Sequence, residues 1–108
     1  MQRVWIDDLR PAPEGYVWIK SVHQAQKFIR KCAYMKHMFP DRDYWDIALI
    51  DIDHDAGSYA QFGGDYIRLL DWMERNELSF PIRIHSQNVV GRMNMEAICH
   101  RNGWTIVK

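Results

Sequence analysis

Apolar residues in this chain gather in short unbroken runs, and the stretches between the runs carry apolar positions at helical spacing. Four runs have the length and composition of strands, and the four apolar residues Ile47-Ala48-Leu49-Ile50 read as a strand buried on both faces, the kind found in parallel sheets. They predict strands at about Arg3 to Ile6, Tyr16 to Ile19, Ile47 to Ile52 and Ile82 to His85, with Trp104 to Val107 as a closing fifth. Ser21 and Gln24 have the spacing of a capping box, and Val22, Ala25, Phe28, Ile29, Cys32 and Ala33 recur at helical period. They predict a first helix ending near Phe39, where Pro40-Asp41 stops it. Tyr66, Ile67, Leu69, Leu70 and Met73 mark a second helix, and a third runs to about Asn102-Gly103, a glycine C-cap.

Strands that alternate with helices imply a parallel sheet with right-handed crossovers. One connection breaks the pattern. Leu9-Arg10-Pro11-Ala12-Pro13-Glu14-Gly15 is a loop, because two prolines and a glycine interrupt regular structure. So short a link is a poor parallel crossover. Strand two is therefore expected to pair loosely, or the Pro-rich loop to wrap across the sheet edge.

At 108 residues the chain has the size of one domain, 1–108, with a single core. Its 47% hydrophobic content supports a packed fold rather than a disordered segment. Fourteen basic residues offset fourteen acidic ones, so the balance argues against nucleic-acid binding by backbone neutralisation and leaves a small ligand as the expected partner. Cys32 and Cys99 lack a Cys-x-x-Cys spacing and fall in predicted helices, which reads as two buried free thiols in a reducing compartment. No segment has the charge and apolar pattern of a leader or a membrane span, and the expected location is cytoplasmic.

The chemistry concentrates where the runs end. Ile47 to Ile52 leads into Asp53-His54-Asp55, placing three carboxylates and an imidazole between positions 51 and 55, and Val4-Trp5-Ile6 leads into Asp7-Asp8. The C-terminal edge of a parallel sheet is where open α/β folds bind their ligands. Anionic groups crowded there repel unless a cation, a proton or a donor-rich ligand neutralises them. Asp7, Asp8, Asp53 and Asp55 form an oxygen-rich set suited to Mg²⁺, with Mn²⁺ as an alternative, and Asp51 is the least secure member. The spacing of 51, 53 and 55 also opens a calcium-binding loop, but Ala56 and Phe62 stand where that loop needs glycine and glutamate. Read alone, His54 is an ordinary loop histidine; between two acids its protonated form is favoured, which suits a general acid. His85-Ser86-Gln87-Asn88 ends the fourth strand, with Ser86 or Asn88 available to cap the third helix, whose N-terminus is itself an anion site. Arg10 is placed either to grip a phosphate or to pair with an acid.

These residues together resemble the cyclic-phosphate processing receivers, a divergent branch of the response-regulator receiver fold. The resemblance rests on Trp5-Ile6-Asp7-Asp8-Leu9-Arg10-Pro11-Ala12-Pro13, on Asp53-His54-Asp55, and on His85-Ser86-Gln87-Asn88-Val89-Val90-Gly91-Arg92-Met93 leading to Met95-Glu96. It implies an α/β, three-layer receiver-like (flavodoxin-like) fold with a mainly parallel sheet of about five strands and a reduced helix set. By the same resemblance Asp7, Asp8 and Asp53 take the acidic roles, Ser86 the phosphate-binding hydroxyl, and Lys108 the place of a receiver's lysine at the end of strand five. The Pro-rich loop replaces the helix that follows the acidic pair in ordinary receivers, a final helix after strand five is missing, and His54 and His85 are additions.

The implied activity is metal-assisted opening of cyclic phosphates of nucleotides or of ADP-ribose derivatives. His54, His85 and Asp53 would be its catalytic groups, with Asp7, Asp8, Asp53 and Asp55 holding the metal and Arg10, Ser86 and Asn88 the phosphate. Two alternatives stand beside it: a non-catalytic module that binds a phosphorylated ligand or a protein partner, and a phosphoacceptor receiver using Asp53. An exposed sheet edge would also let two copies pair.

Overall fold

The computed structural model describes all 108 residues. Strands β1 (Gln2–Ile6), β2 (Tyr16–Ile19), β3 (Ile47–Ile52) and β4 (Ile82–Ile84) form one parallel sheet in the order β2-β1-β3-β4. Helix α1 (Val22–Met38) joins β2 to β3, a 3₁₀ turn (Gly57–Phe62) and α2 (Ile67–Arg75) join β3 to β4, and α3 (Val89–Asn102) follows β4. The expected fifth strand shrinks to one parallel bridge, Ile82 to Ile106, in which the Ile82 N–H donates to the Thr105 carbonyl and the Val107 N–H to the Ile82 carbonyl. This strand order is that of the flavodoxin-like doubly wound fold, whose switch point lies between β1 and β3.

Every helical crossover steps across the sheet in the same direction, from β2 to β3, from β3 to β4, and from β4 to the bridge at Ile106. Right-handed crossovers that all advance one way put their helices on one face. Val4, Ile6, Ile50, Ile52 and Ile82 point to that face and pack in one core cluster with Ile29, Leu69, Met73 and Met95. A second helical layer, part of the three-layer expectation, is not formed by these helices. The opposite face carries Trp5, Asp51 and Arg83, which are register partners and so project to the same side.

The short β1 to β2 connection pairs fully rather than loosely, with Arg3, Val4, Trp5 and Ile6 opposite Tyr16, Val17, Trp18 and Ile19. A return over four residues needs only about 13 Å, and the nine residues from Asp7 to Gly15 reach farther than that without a helix. Two indoles hold the loop in place. Trp5 Nε1 donates to the Arg10 carbonyl at 2.8 Å, and Trp18 Nε1 donates to the Asp7 carbonyl at 2.7 Å. Since Trp5 lies on the face away from the helices, its bond to Arg10 folds the loop back over that face.

The other sequence expectations need only small changes. Ser21 caps α1 by accepting the Gln24 N–H at 3.0 Å, and Gly103 closes α3 in the left-handed region at φ 68°. Cys32 and Cys99 are buried and unpaired, and burial pushes the Cys99 thiol up to about 11. No helix is long and apolar enough to cross a membrane.

The segment from β3 to α2 is anchored at Gly63, where φ is +115° and an added Cβ would lie 2.8 Å from Val22 Cβ. Gly63→Ala should therefore lower stability by about 2 kcal/mol through left-handed strain and the clash with α1. Urea denaturation reads this as a reduced midpoint, and an unchanged midpoint would contradict the tight approach.

Candidate functional site

Alternation along the strands decides which acids meet. Trp5 and Asp51 are register partners on the face away from the helices, so Asp7 and Asp53, each two residues further on, leave the sheet on that same side. Arg83 is the partner of Asp51, and His85 follows it by two. Asp7, Asp51 and Asp53 are all buried, as is Ser86.

His85 is the hub of this group. Its Nδ1 lies 2.7 Å from Asp51 Oδ1 and its Nε2 lies 3.0 Å from Asp7 Oδ2. The Trp5 indole stacks on the imidazole at 3.9 Å between centroids, with the planes 4° apart. The ring is thus fixed at both nitrogens and on one face, and its side chain is only 7% exposed. Arg83 NH1 completes Asp51 at 2.9 Å. On the other side, Arg10 bridges two acids, its Nε 3.1 Å from Asp7 Oδ2 and its NH2 3.4 Å from Asp53 Oδ2. A continuous chain of alternating charge capacity runs Arg83, Asp51, His85, Asp7, Arg10, Asp53.

Burial opposes the ionised form of Asp7. It is outweighed by the backbone N–H groups of Arg10 and Leu9, each 2.9 Å from Oδ1, by His85, and by the Arg10 guanidinium, so the carboxyl sits below its ordinary 3.8. Three buried carboxylates face two guanidiniums. The remaining negative charge is matched either by an imidazole that donates from both nitrogens, which makes it a cation, or by a bound metal ion. One oxygen each from Asp7 and Asp53 and one ring nitrogen of His85 lie within 4.8 Å of one another, so this donor set suits a divalent cation.

A second group lies beside the first. The backbone N–H of His54 donates to Asp53 Oδ1 at 2.8 Å, and His54 Nδ1 is 2.8 Å from Asp55 Oδ1. Its Nε2 has no protein partner, and the side chain is 15% exposed. Asn88 caps α3 by accepting the Gly91 N–H at 2.9 Å and turns its Nδ2 toward His54 and Asp55 at 3.4 Å. Ser86 Oγ accepts the Asn88 N–H at 3.1 Å. The His54 ring rests on Gly91, where a Cβ would come within 2.5 Å of the imidazole Cγ. Asp55 and Asp65 join His54 in a separate cluster, and Asp8 belongs to neither cluster, its Oδ2 lying where a Gly57 Cβ would fall.

The family model described as the cyclic-phosphate processing receiver domain matches residues 2–101. The chain belongs to that family. No curated protein and no solved structure gives a significant match.

Within this receiver framework, the positions suggested by sequence divide into two sets. Asp7, Asp53, His85 and Arg10 meet at one point, whereas His54, Asp55 and Asn88 form the neighbouring group and Ser86 ties the β4 loop to the start of α3. Asp8 and Asp55 were grouped with Asp7 and Asp53 by spacing, and the fold separates them. Asp8 lies past the end of β1 and turns its Oδ2 toward Gly57, yet its charge still joins those of Asp7 and Asp53 on the Tyr66 hydroxyl, which burial first and these charges second push upward. Lys108 lines a cleft with Ile84, Arg92, His100 and Trp104, among which none of the acidic site residues occurs. Sequence reasoning left out Trp5 as a ring support, Arg83 as the partner of Asp51, and Gly91 as the seat of His54. Strand parity was the available signal for the first two, since Trp5, Asp51 and Arg83 share it with Asp7, Asp53 and His85.

Two expectations follow from this packing. Gly91→Ala should lower stability by about 1 kcal/mol, because the overlap of the new Cβ with the root of the His54 ring outweighs the gain in helix propensity, and it should displace that ring; NMR resonances of His54 that stay in place would refute the close seat. Asp7 has a depressed pKa in the folded state, so its ionised form stabilises the fold above its ordinary 3.8 and that contribution is lost as pH falls through the lower native value. Denaturation midpoints measured below pH 4 should fall less steeply for Asp7→Asn than for the parent, and parallel slopes would show no such linkage.

Proposed function

We propose that this receiver-like chain is a hydrolase that opens cyclic phosphodiesters of nucleotides or ADP-ribose derivatives. The observation that carries this reading is His54, whose Nδ1 is tied to Asp55 while its Nε2 has no protein partner, and whose backbone N–H donates to the buried Asp53. A carboxylate at one nitrogen orients the ring, which leaves the other nitrogen to move a proton. His85, expected from sequence to share that work, has both nitrogens already facing carboxylates and serves better as a fixed support.

In the proposed reaction water adds to phosphorus, one ester P–O bond breaks, and the departing sugar oxygen takes a proton from His54 Nε2. Asp53 accepts the proton of the attacking water; its Oδ2 is held only by Arg10, at 3.4 Å. The half-exposed Arg10 guanidinium, the Ser86 hydroxyl and the N-terminus of α3 supply positive charge and donors for the phosphate oxygens. A divalent cation held by Asp7 and Asp53 would add Lewis-acid stabilisation of the phosphoryl oxygens.

The test is a panel of 2′,3′-cyclic nucleotides and ADP-ribose cyclic phosphate, with and without Mg²⁺ or Mn²⁺, followed by ³¹P NMR. Ring opening is expected, and His54→Ala should slow it about 10²- to 10⁴-fold. Tight binding with no turnover anywhere on the panel would support the second reading, a phosphate-binding module, which the Arg10 and α3 donors also fit.

A further inference from the structure

We propose that the divalent cation of this site is held through an imidazole as well as carboxylates, with Asp7, Asp53 and His85 Nε2 as ligands and Asp51 as the residue that orients His85, so that the site selects Co²⁺ or Zn²⁺ over Mg²⁺. This rests on the metal-assisted reading above and departs from the all-oxygen set that the strand-end spacing suggests.

The geometry has the parts of a carboxylate–histidine–metal arrangement. Asp51 Oδ1 lies 2.7 Å from Nδ1, so with a cation bound the Nδ1–H is donated to Asp51 and the Nε2 lone pair is left for the metal. Trp5 stacked on the ring prevents it from turning away, and Arg83 holds Asp51 from behind at 2.9 Å. Nε2 then points into the space bounded by Asp7 and Asp53, the two acids that share a cluster with it. On binding, Nε2 gives its lone pair to the cation, its contact with Asp7 Oδ2 is given up, and any proton on Nε2 passes to solvent. Arg10 yields its place: its guanidinium is 46% exposed and its contacts of 3.1 and 3.4 Å are longer than strong charge-assisted bonds. Released from Asp7 and Asp53, it is free to meet the substrate phosphate.

The choice of ion follows from the ligand types. Mg²⁺ prefers oxygen and keeps several waters, whereas imidazole nitrogen draws Co²⁺ and Zn²⁺ more strongly. The donor group that meets within 4.8 Å is Asp7, Asp53 and His85, so a nitrogen is among its members.

The experiment uses the full chain carrying His54→Ala, which removes the imidazole of the neighbouring cluster. Titration with CoCl₂ and MgCl₂, followed by calorimetry and by the visible Co²⁺ spectrum, should show one site binding Co²⁺ about tenfold or more tightly than Mg²⁺. Asp51→Asn should weaken Co²⁺ about 10- to 100-fold, and His85→Asn should abolish the preference. In case His85→Asn does not fold, long-range ¹H–¹⁵N spectra recorded with ZnCl₂ provide the same information: His85 Nε2 should shift as a metal ligand while Nδ1 keeps its proton. Equal affinity for Mg²⁺ and Co²⁺, a saturating titration that leaves the His85 resonances unmoved, or no metal binding would each overturn the assignment. Turnover is scored separately, in chains that keep His54. His85-dependent Co²⁺ binding without ring opening would support this metal site and count against the hydrolase, whereas ring opening driven equally by Mg²⁺ in His85→Asn would do the reverse.

Discussion

The clamp on His85 is the constraint from which the site is built. One buried imidazole joins acids from two strands, Asp51 within β3 and Asp7 just after β1, while itself ending β4. Removing any member would leave buried charge without a partner, a far larger cost than losing a surface ion pair. The three strand ends are therefore held in a fixed relation across the switch point, and the position of Asp53 is set by the same register that places Asp51.

That clamp stands on the side of the sheet away from the helices, and the two features depend on each other. With the helical crossovers all advancing one way, the far face needs other cover for Trp5, Asp51 and Arg83. The Asp7 to Gly15 loop provides part of it, pinned by Trp5 to the Arg10 carbonyl and by Trp18 to the Asp7 carbonyl. Because the loop turns back immediately after Asp7, its N–H groups at Leu9 and Arg10 reach the Asp7 carboxylate and the Arg10 side chain crosses to Asp53. A helix at this point would carry those groups away along its axis. The Pro-rich loop is thus both the cover of the sheet and the source of the cationic group in the site.

Membership in the cyclic-phosphate processing receiver family gives the site a frame, and the two histidines give it different tasks within that frame. His85 is buried, stacked and engaged at both nitrogens. His54 is held at one nitrogen and open at the other, on a helix turn that only glycine leaves room for. The same side chain at two strand ends is engaged at both nitrogens in one place and at only one in the other, and the difference lies in what surrounds each ring.

Much of this fold was legible along the chain. Short apolar runs with β-branched residues have strand composition, so β1 to β4 and the three helices could be located by pattern, and the acidic residues could be placed at the strand ends. The near loss of the fifth strand was not legible, since Trp104 to Val107 has strand composition and yet forms a single bridge to β4. Nor did spacing separate Asp7 from Asp8, or Asp51 from Asp53. Those distinctions are matters of register and facing, and they arise when strands distant in sequence are brought side by side. The chain by itself determined which chemical groups stand at the sheet edge; only the tertiary structure decided which of them touch, because a contact between Asp51 and His85 spans 34 positions and exists solely through the pairing of β3 with β4.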